Sequence, residues 1–72
     1  MFMPNLIKLK VNGTFYNCLK NITLLHLIDY LNFNTQLIAV EYNYKVILKN
    51  EWGNIYLNNG DKIEIVTIVG GG

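Results

Sequence analysis

Leu6-Ile-Lys-Leu-Lys-Val-Asn-Gly-Thr-Phe-Tyr-Asn-Cys-Leu19 reads as a β-hairpin. From Leu6 to Val11 the apolar Ile7, Leu9 and Val11 alternate with Lys8 and Lys10, the two-residue period of a strand with one buried face. Asn12-Gly13 follows at once. Both central residues of a type I′ turn need a positive φ, which Asn and Gly tolerate, so Thr14 to Leu19 is expected to return as the second strand.

C-terminal to the hairpin, Thr23 is a suitable N-cap for a helix whose apolar stripe is Leu24, Leu27, Ile28 and Leu31, at i, i+3, i+4 and i+7. The helix should stop near Asn32 to Asn34, because Asn accepts the left-handed conformation that ends a helix. Leu37 to Tyr42 predicts a third strand and Lys45 to Leu48 a short fourth, joined at Asn43-Tyr44, although Tyr44 is a poor residue for a positive φ. Glu51-Trp52-Gly53 should form a turn or one helical turn with Trp52 capping the core. Asn58-Asn59-Gly60-Asp61 is a turn cluster, and Lys62 to Val69 predicts the last strand.

An order of ββαβ(β)β in so short a chain has few compact solutions. Hairpins pair antiparallel, one amphipathic helix covers one face of the sheet, and the first and last strands can lie side by side in parallel at the centre. The expected class is therefore α+β, a β-grasp (ubiquitin-like) fold with a mixed sheet of four to five strands and one main helix on one face. Residues 1–69 form the single domain of this reading, and residues 70–72 a flexible glycine tail.

Seventy-two residues hold one small core and little room for a deep substrate pocket. At 51% hydrophobic and 15% charged the composition is that of a folded chain, not a disordered one. The six lysines are spread along the chain, there is no Arg, and the net charge is only +1, which argues against a nucleic-acid binder. No apolar run approaches the roughly 20 residues of a membrane span, and Met1 to Leu6 shows neither a signal core nor an Arg-rich transit pattern. One Cys and one His cannot build a His/Cys metal cluster or an internal disulfide. A reducing compartment follows, either the cytoplasm or, if the chain is organelle-encoded, the plastid stroma. Eleven Asn and no Arg suit an AT-rich genome.

The least ordinary feature is the ending Ile68-Val69-Gly70-Gly71-Gly72. At a Gly frequency of about 7%, three in a row at a stated place arise by chance roughly 3 times in 10,000. A glycine end can be no more than a frayed terminus. It can also be an arm: four residues from Val69 reach about 13 to 14 Å when extended, and without Cβ atoms they pass a narrow channel. A free α-carboxylate, with a pKa of about 3.3 to 3.7, is ionised at neutral pH and can attack the α-phosphorus of ATP. Alternation along the last strand breaks at Ile65-Val66-Thr67-Ile68-Val69, so Val66 and Ile68 could form an exposed patch for a partner enzyme. A strand covered on both faces, or a buried dimer contact, would account for the same pattern.

Other candidates have simpler explanations. Cys18 reads as a small hydrophobe in a strand rather than a redox or sulfur-accepting thiol. His26 lies off the helix's apolar stripe, without a Ser or Cys partner, as a solvated surface residue. Asp61 and Glu64 read as a turn aspartate and a solvent-facing glutamate rather than a paired-carboxylate site.

Taken together, Val11-Asn12-Gly13, Thr23 with Leu24, Leu27, Ile28 and Leu31, Ile38-Ala-Val-Glu-Tyr-Asn43, Glu51-Trp52, Asn59-Gly-Asp-Lys-Ile-Glu-Ile65 and Val69-Gly-Gly-Gly72 resemble the thiazole-biosynthesis sulfur carrier family, ThiS. Tyr44, where that family commonly has Gly, and Lys49-Asn50, in place of a Pro-containing stretch, are departures. The resemblance implies a carrier that is not itself an enzyme and binds no cofactor or metal. Gly72 would be adenylated by an ubiquitin-activating-like enzyme using ATP-Mg, converted to a thiocarboxylate by a sulfur-donor enzyme, and presented to thiazole synthase, with Gly70 and Gly71 as the arm. No nucleic-acid or membrane partner is implied. The small subunit of molybdopterin synthase, also a diglycine-ended β-grasp protein, is the alternative within the same chemistry, and a non-catalytic ubiquitin-like interaction module the alternative outside it.

Overall fold

The structure, a computed structural model, describes residues 5–68. β1 (Leu6–Val11) and β2 (Thr14–Leu19) form the hairpin, α1 (Leu24–Tyr30) crosses over, and β3 (Ile38–Tyr42) and β4 (Lys45–Ile47) form a second hairpin. A short 3₁₀ helix (Lys49–Asn54) then leads to β5 (Lys62–Thr67). The five strands make one mixed sheet in the order β2-β1-β5-β3-β4. β5 runs parallel to β1 and antiparallel to β3, so the last strand to be made is the central one.

The alternation in β1 is realised: Ile7, Leu9 and Val11 are buried, and the lysines face the other way. The same holds for Ile63 and Ile65 on β5 and for Ile38 and Val40 on β3. On this inner face sit Leu24, Leu27 and Ile28 of α1, with Leu31 packed against them as the stripe requires. Trp52 is 2% exposed, and its indole N–H donates to the Ile47 carbonyl at 3.1 Å, so the 3₁₀ helix seals the end of the core beside β4. Leu57 completes the core from the segment before β5.

Local chemistry sets the element boundaries. Thr23 caps α1 as expected, and Asn32 takes φ +65° just past its end. β3 begins at Ile38 and β4 ends at Ile47, each one residue short of the sequence reading, and β5 ends at Thr67 rather than at Val69, which lies outside the described residues. Asn43 and Tyr44 both adopt positive φ, +50° and +70°, so the β3–β4 turn tolerates the strained Tyr44. Its ring lies 4.8 Å from the Lys62 ammonium and its hydroxyl accepts from Lys62 Nζ at 3.3 Å, contacts that offset part of that strain.

Asn12 does more than turn the chain. Its side chain accepts from the Ile65 N–H at 2.7 Å and donates to the Ile65 carbonyl at 2.9 Å, extending the ladder from β1 to β5 beyond Val11. Asn12→Ala should cost about 2 kcal/mol or more in urea unfolding, from two lost hydrogen bonds and an alanine held at positive φ. Asn12→Gly removes the bonds without the φ strain, and its smaller loss measures the bonds alone.

Candidate functional site

β5 carries the chain towards Gly70, Gly71 and Gly72, which lie outside the described residues. Its setting is therefore the part of the site that can be described. Between β1 and β3 it is hydrogen-bonded along both edges, and at its far end the Ile68 N–H still donates to the Leu37 carbonyl at 2.6 Å. Its near end is held by a second asparagine: the Lys62 N–H donates to Asn43 Oδ1 at 2.8 Å, and the Asn43 N–H returns to the Lys62 carbonyl at 2.7 Å.

The turn before β5 is organised by Asp61. Expected to be an ordinary turn aspartate, it is buried, with only 7% of its surface exposed. One carboxylate oxygen accepts from the Tyr42 hydroxyl at 2.6 Å and the Asn58 N–H at 2.7 Å, and the other from Asn43 Nδ2 at 3.1 Å. Three donors satisfy a buried charge and tie the turn to the second hairpin. Burial, the hydrogen bond to Asp61 and its negative charge, in that order, push the Tyr42 phenol up to about 12. Asp61 and Glu64 do not converge. Glu64 is half-buried on the open face of the sheet, opposite Glu41.

That open face is left uncovered by α1. Val66, 57% exposed, lies across from Ala39 and near Val46, and Ile68, just beyond the strand, is 52% exposed. Both residues of the expected patch are thus at the surface, on the strand that leads to the glycines. Lys8, Lys10 and Lys62 occupy the other half of the face, beside Phe15 and Tyr44. Phe15 takes the Lys8 and Lys10 ammonium groups at 5.3 Å each.

Cys18 and His26 line a groove of about 510 Å³ between β2 and α1. Burial pushes the Cys18 thiol up, away from the thiolate form a nucleophile needs. His26 is exposed but not idle. The Thr23 N–H donates to its Nδ1 at 3.3 Å while its own N–H donates to Thr23 Oγ1 at 3.1 Å, a capping box with His in the third position. Asp61, Asn43 and the second role of Asn12 were missed by sequence reasoning. Apart from the Asn58 amide, three residues from Asp61, their partners lie 18 to 53 residues away, and no local pattern marks those contacts.

A β-grasp sheet with its central strand fixed on both sides and one open face is the scaffold of a ubiquitin-like carrier or adaptor. The ThiS family model matches residues 9–72, and the chain belongs to that family of small sulfur carriers. It is 44% identical over 66 residues to the ycf40 protein of Pyropia yezoensis, covering 92% of this chain and 93% of that one. To the ycf40 protein of Trieres chinensis it is 47% identical over 62 residues, covering 86% and 85%. A 35% identity over 66 residues links it to thiazole synthase of Paramagnetospirillum magneticum, where 92% of this chain corresponds to 20% of that protein. Among solved structures, the thiamine biosynthesis protein ThiS of Geobacter metallireducens matches with a TM-score of 0.80 at 23% identity, covering 92% of this chain and all of that one. That likeness establishes the β-grasp fold.

The raised phenol gives an alkaline signature. Because the protonated Tyr42 is favoured in the folded chain, its contribution to stability is complete below the unfolded phenol value of about 10 and is lost as pH rises through about 12. Absorbance titration should show a tyrosine ionising near pH 12 that is missing in Tyr42→Phe.

Proposed function

We propose that the chain carries sulfur for thiazole formation on the carboxyl of Gly72. The observation that supports this most is the extent of the family match, which runs from β1 through the three glycines as one unit. In this reading the Gly72 carboxylate attacks the α-phosphorus of ATP and pyrophosphate leaves. Hydrosulfide delivered by a sulfur-donor enzyme then attacks the acyl carbon of the adenylate, the carbon–oxygen bond to AMP breaks, and a thiocarboxylate, AMP and a proton result. Its sulfur is a softer and stronger nucleophile than the carboxylate oxygen, which is the reason for installing it before transfer. The chain contributes delivery rather than catalysis. Gly70 and Gly71 let the terminus enter a partner's cleft, while Val66 and Ile68 dock the body against the activating enzyme.

Proteins named thiazole synthase that contain a segment like this chain within a longer polypeptide favour thiazole synthase as the acceptor, over molybdopterin synthase. The ycf40 relatives carry a designation given to plastid-genome reading frames and support a plastid location.

The test is intact mass. After incubation with ATP-Mg, a sulfur donor and the cognate activating enzyme, the chain should gain the difference between one sulfur and one oxygen atom. A chain lacking Gly71 and Gly72 should show no gain at an unchanged melting temperature. An unmodified full-length chain, beside an enzyme that still releases pyrophosphate with a control carrier, would contradict the reading.

A further inference from the structure

The open face of the sheet is unusual in its charges. Lys10 and Lys62 are direct partners across β1 and β5, and Glu41 and Glu64 are direct partners across β3 and β5. Like charges directly opposite on neighbouring strands destabilise a sheet, and here one such pair of each sign sits two residues apart along the same central strand. A surface of opposite sign laid on each pair would relieve both. This face carries both signs itself, side by side.

We propose that the open face pairs with the same face of a second copy of this chain. A two-fold axis crossing β5 at Ile63, between Lys62 and Glu64, brings the lysine pair of each copy over the glutamate pair of the other, the self-complementary contact that two-fold symmetry requires. The apolar residues follow the same operation. Phe15 lies beyond the lysines on β2, at 63% exposure, and Val66 lies beyond the glutamates on β5. The axis places Phe15 of one copy beside Val66 of the other. The receiving surface is a shallow dent of about 50 Å³ lined by Ala39, Glu41, Val46, Glu64 and Val66. Phe15 and Tyr44 already hold the lysine heads over the face, which reduces the side-chain entropy lost on pairing. One face of so small a domain falls short of the roughly 800 Å² per partner of a standard interface, so the dimer is weak and reversible.

The inference stands without the carrier reading. Where the two meet, Val66 belongs to both surfaces, so self-association and docking on an activating enzyme exclude one another.

Sedimentation equilibrium of the full chain, from tens of micromolar to about 1 mM, should show a monomer–dimer equilibrium at low salt that weakens at least tenfold near 0.5 M salt. Lys8→Glu, Lys10→Glu and Lys62→Glu together give an all-negative face, and Glu41→Lys with Glu64→Lys an all-positive one. Each should be monomeric alone, and an equimolar mixture should form a heterodimer. On dilution of the unaltered chain, amide shifts should change at Lys10, Phe15, Lys62, Glu64 and Val66. That measurement needs no variant to fold. A wild-type monomer at the highest concentration and lowest salt overturns the proposal and leaves the face to a different protein. So does a dimer indifferent to salt and charge reversal, or one whose shifts map to the β2 edge and α1.

Discussion

Two asparagine side chains hold the central strand. Asn12 and Asn43 each open a hairpin turn at positive φ, and each turns its carboxamide onto the backbone of β5, at Ile65 and Lys62 respectively. A carboxamide offers the donor and acceptor of a peptide group, and Asn12 uses both on Ile65 as an extra ladder residue would, whereas Asn43 accepts from the Lys62 N–H and donates its Nδ2 to Asp61. The consequence is long-range. β5 joins two hairpins that are otherwise separate in sequence, and without it the chain has two two-stranded ribbons of the kind that are marginal in water. Asp61 reinforces the same junction by binding Tyr42, Asn43 and the Asn58 amide at once.

This arrangement suits a carrier of the ThiS family. The terminus that would be modified follows directly on the strand with bonds to both neighbours, and the core face of that strand, Ile63 and Ile65, is buried under α1. The strand keeps its hydrogen bonds to both neighbours, and the sequence that follows it carries the glycines. The charges on the open face bear on which surfaces can seat there, since a partner must meet lysines on one half and glutamates on the other.

Most of the fold can be read from local pattern. The alternation of Ile7, Leu9 and Val11, the Asn12-Gly13 turn, the Thr23 cap and the stripe from Leu24 to Leu31 all act within a few residues, which is the range over which periodicity and turn chemistry inform. The parallel pairing of β1 with β5 followed from the scarcity of alternatives for that order of elements, and the exposure of Val66 and Ile68 from the break in alternation. What escaped reading is mostly tertiary: Asp61 looks like a turn residue until Tyr42 and Asn43 arrive from the other hairpin. His26 is the local exception, since its capping partner Thr23 is three residues away and a histidine seldom closes a capping box. Tyr44 at positive φ ran against propensity. Its contacts with Lys62 join residues 18 apart, beyond what a local pattern can report. The glycine end was legible as composition and as an ionised carboxylate on an unhindered arm, while the sulfur chemistry proposed for it is what the family resemblance implies.

The account rests on β5 being the last element to let go. Native-state amide hydrogen exchange measures this directly, because the Lys62 and Ile65 amides each donate to an asparagine side chain. Both should exchange only through global unfolding, with an opening free energy equal to that from denaturant, while edge-strand amides of β2 and β4 open at lower cost. Exchange at Lys62 and Ile65 as fast as at the edges would show that the asparagines do not hold the strand.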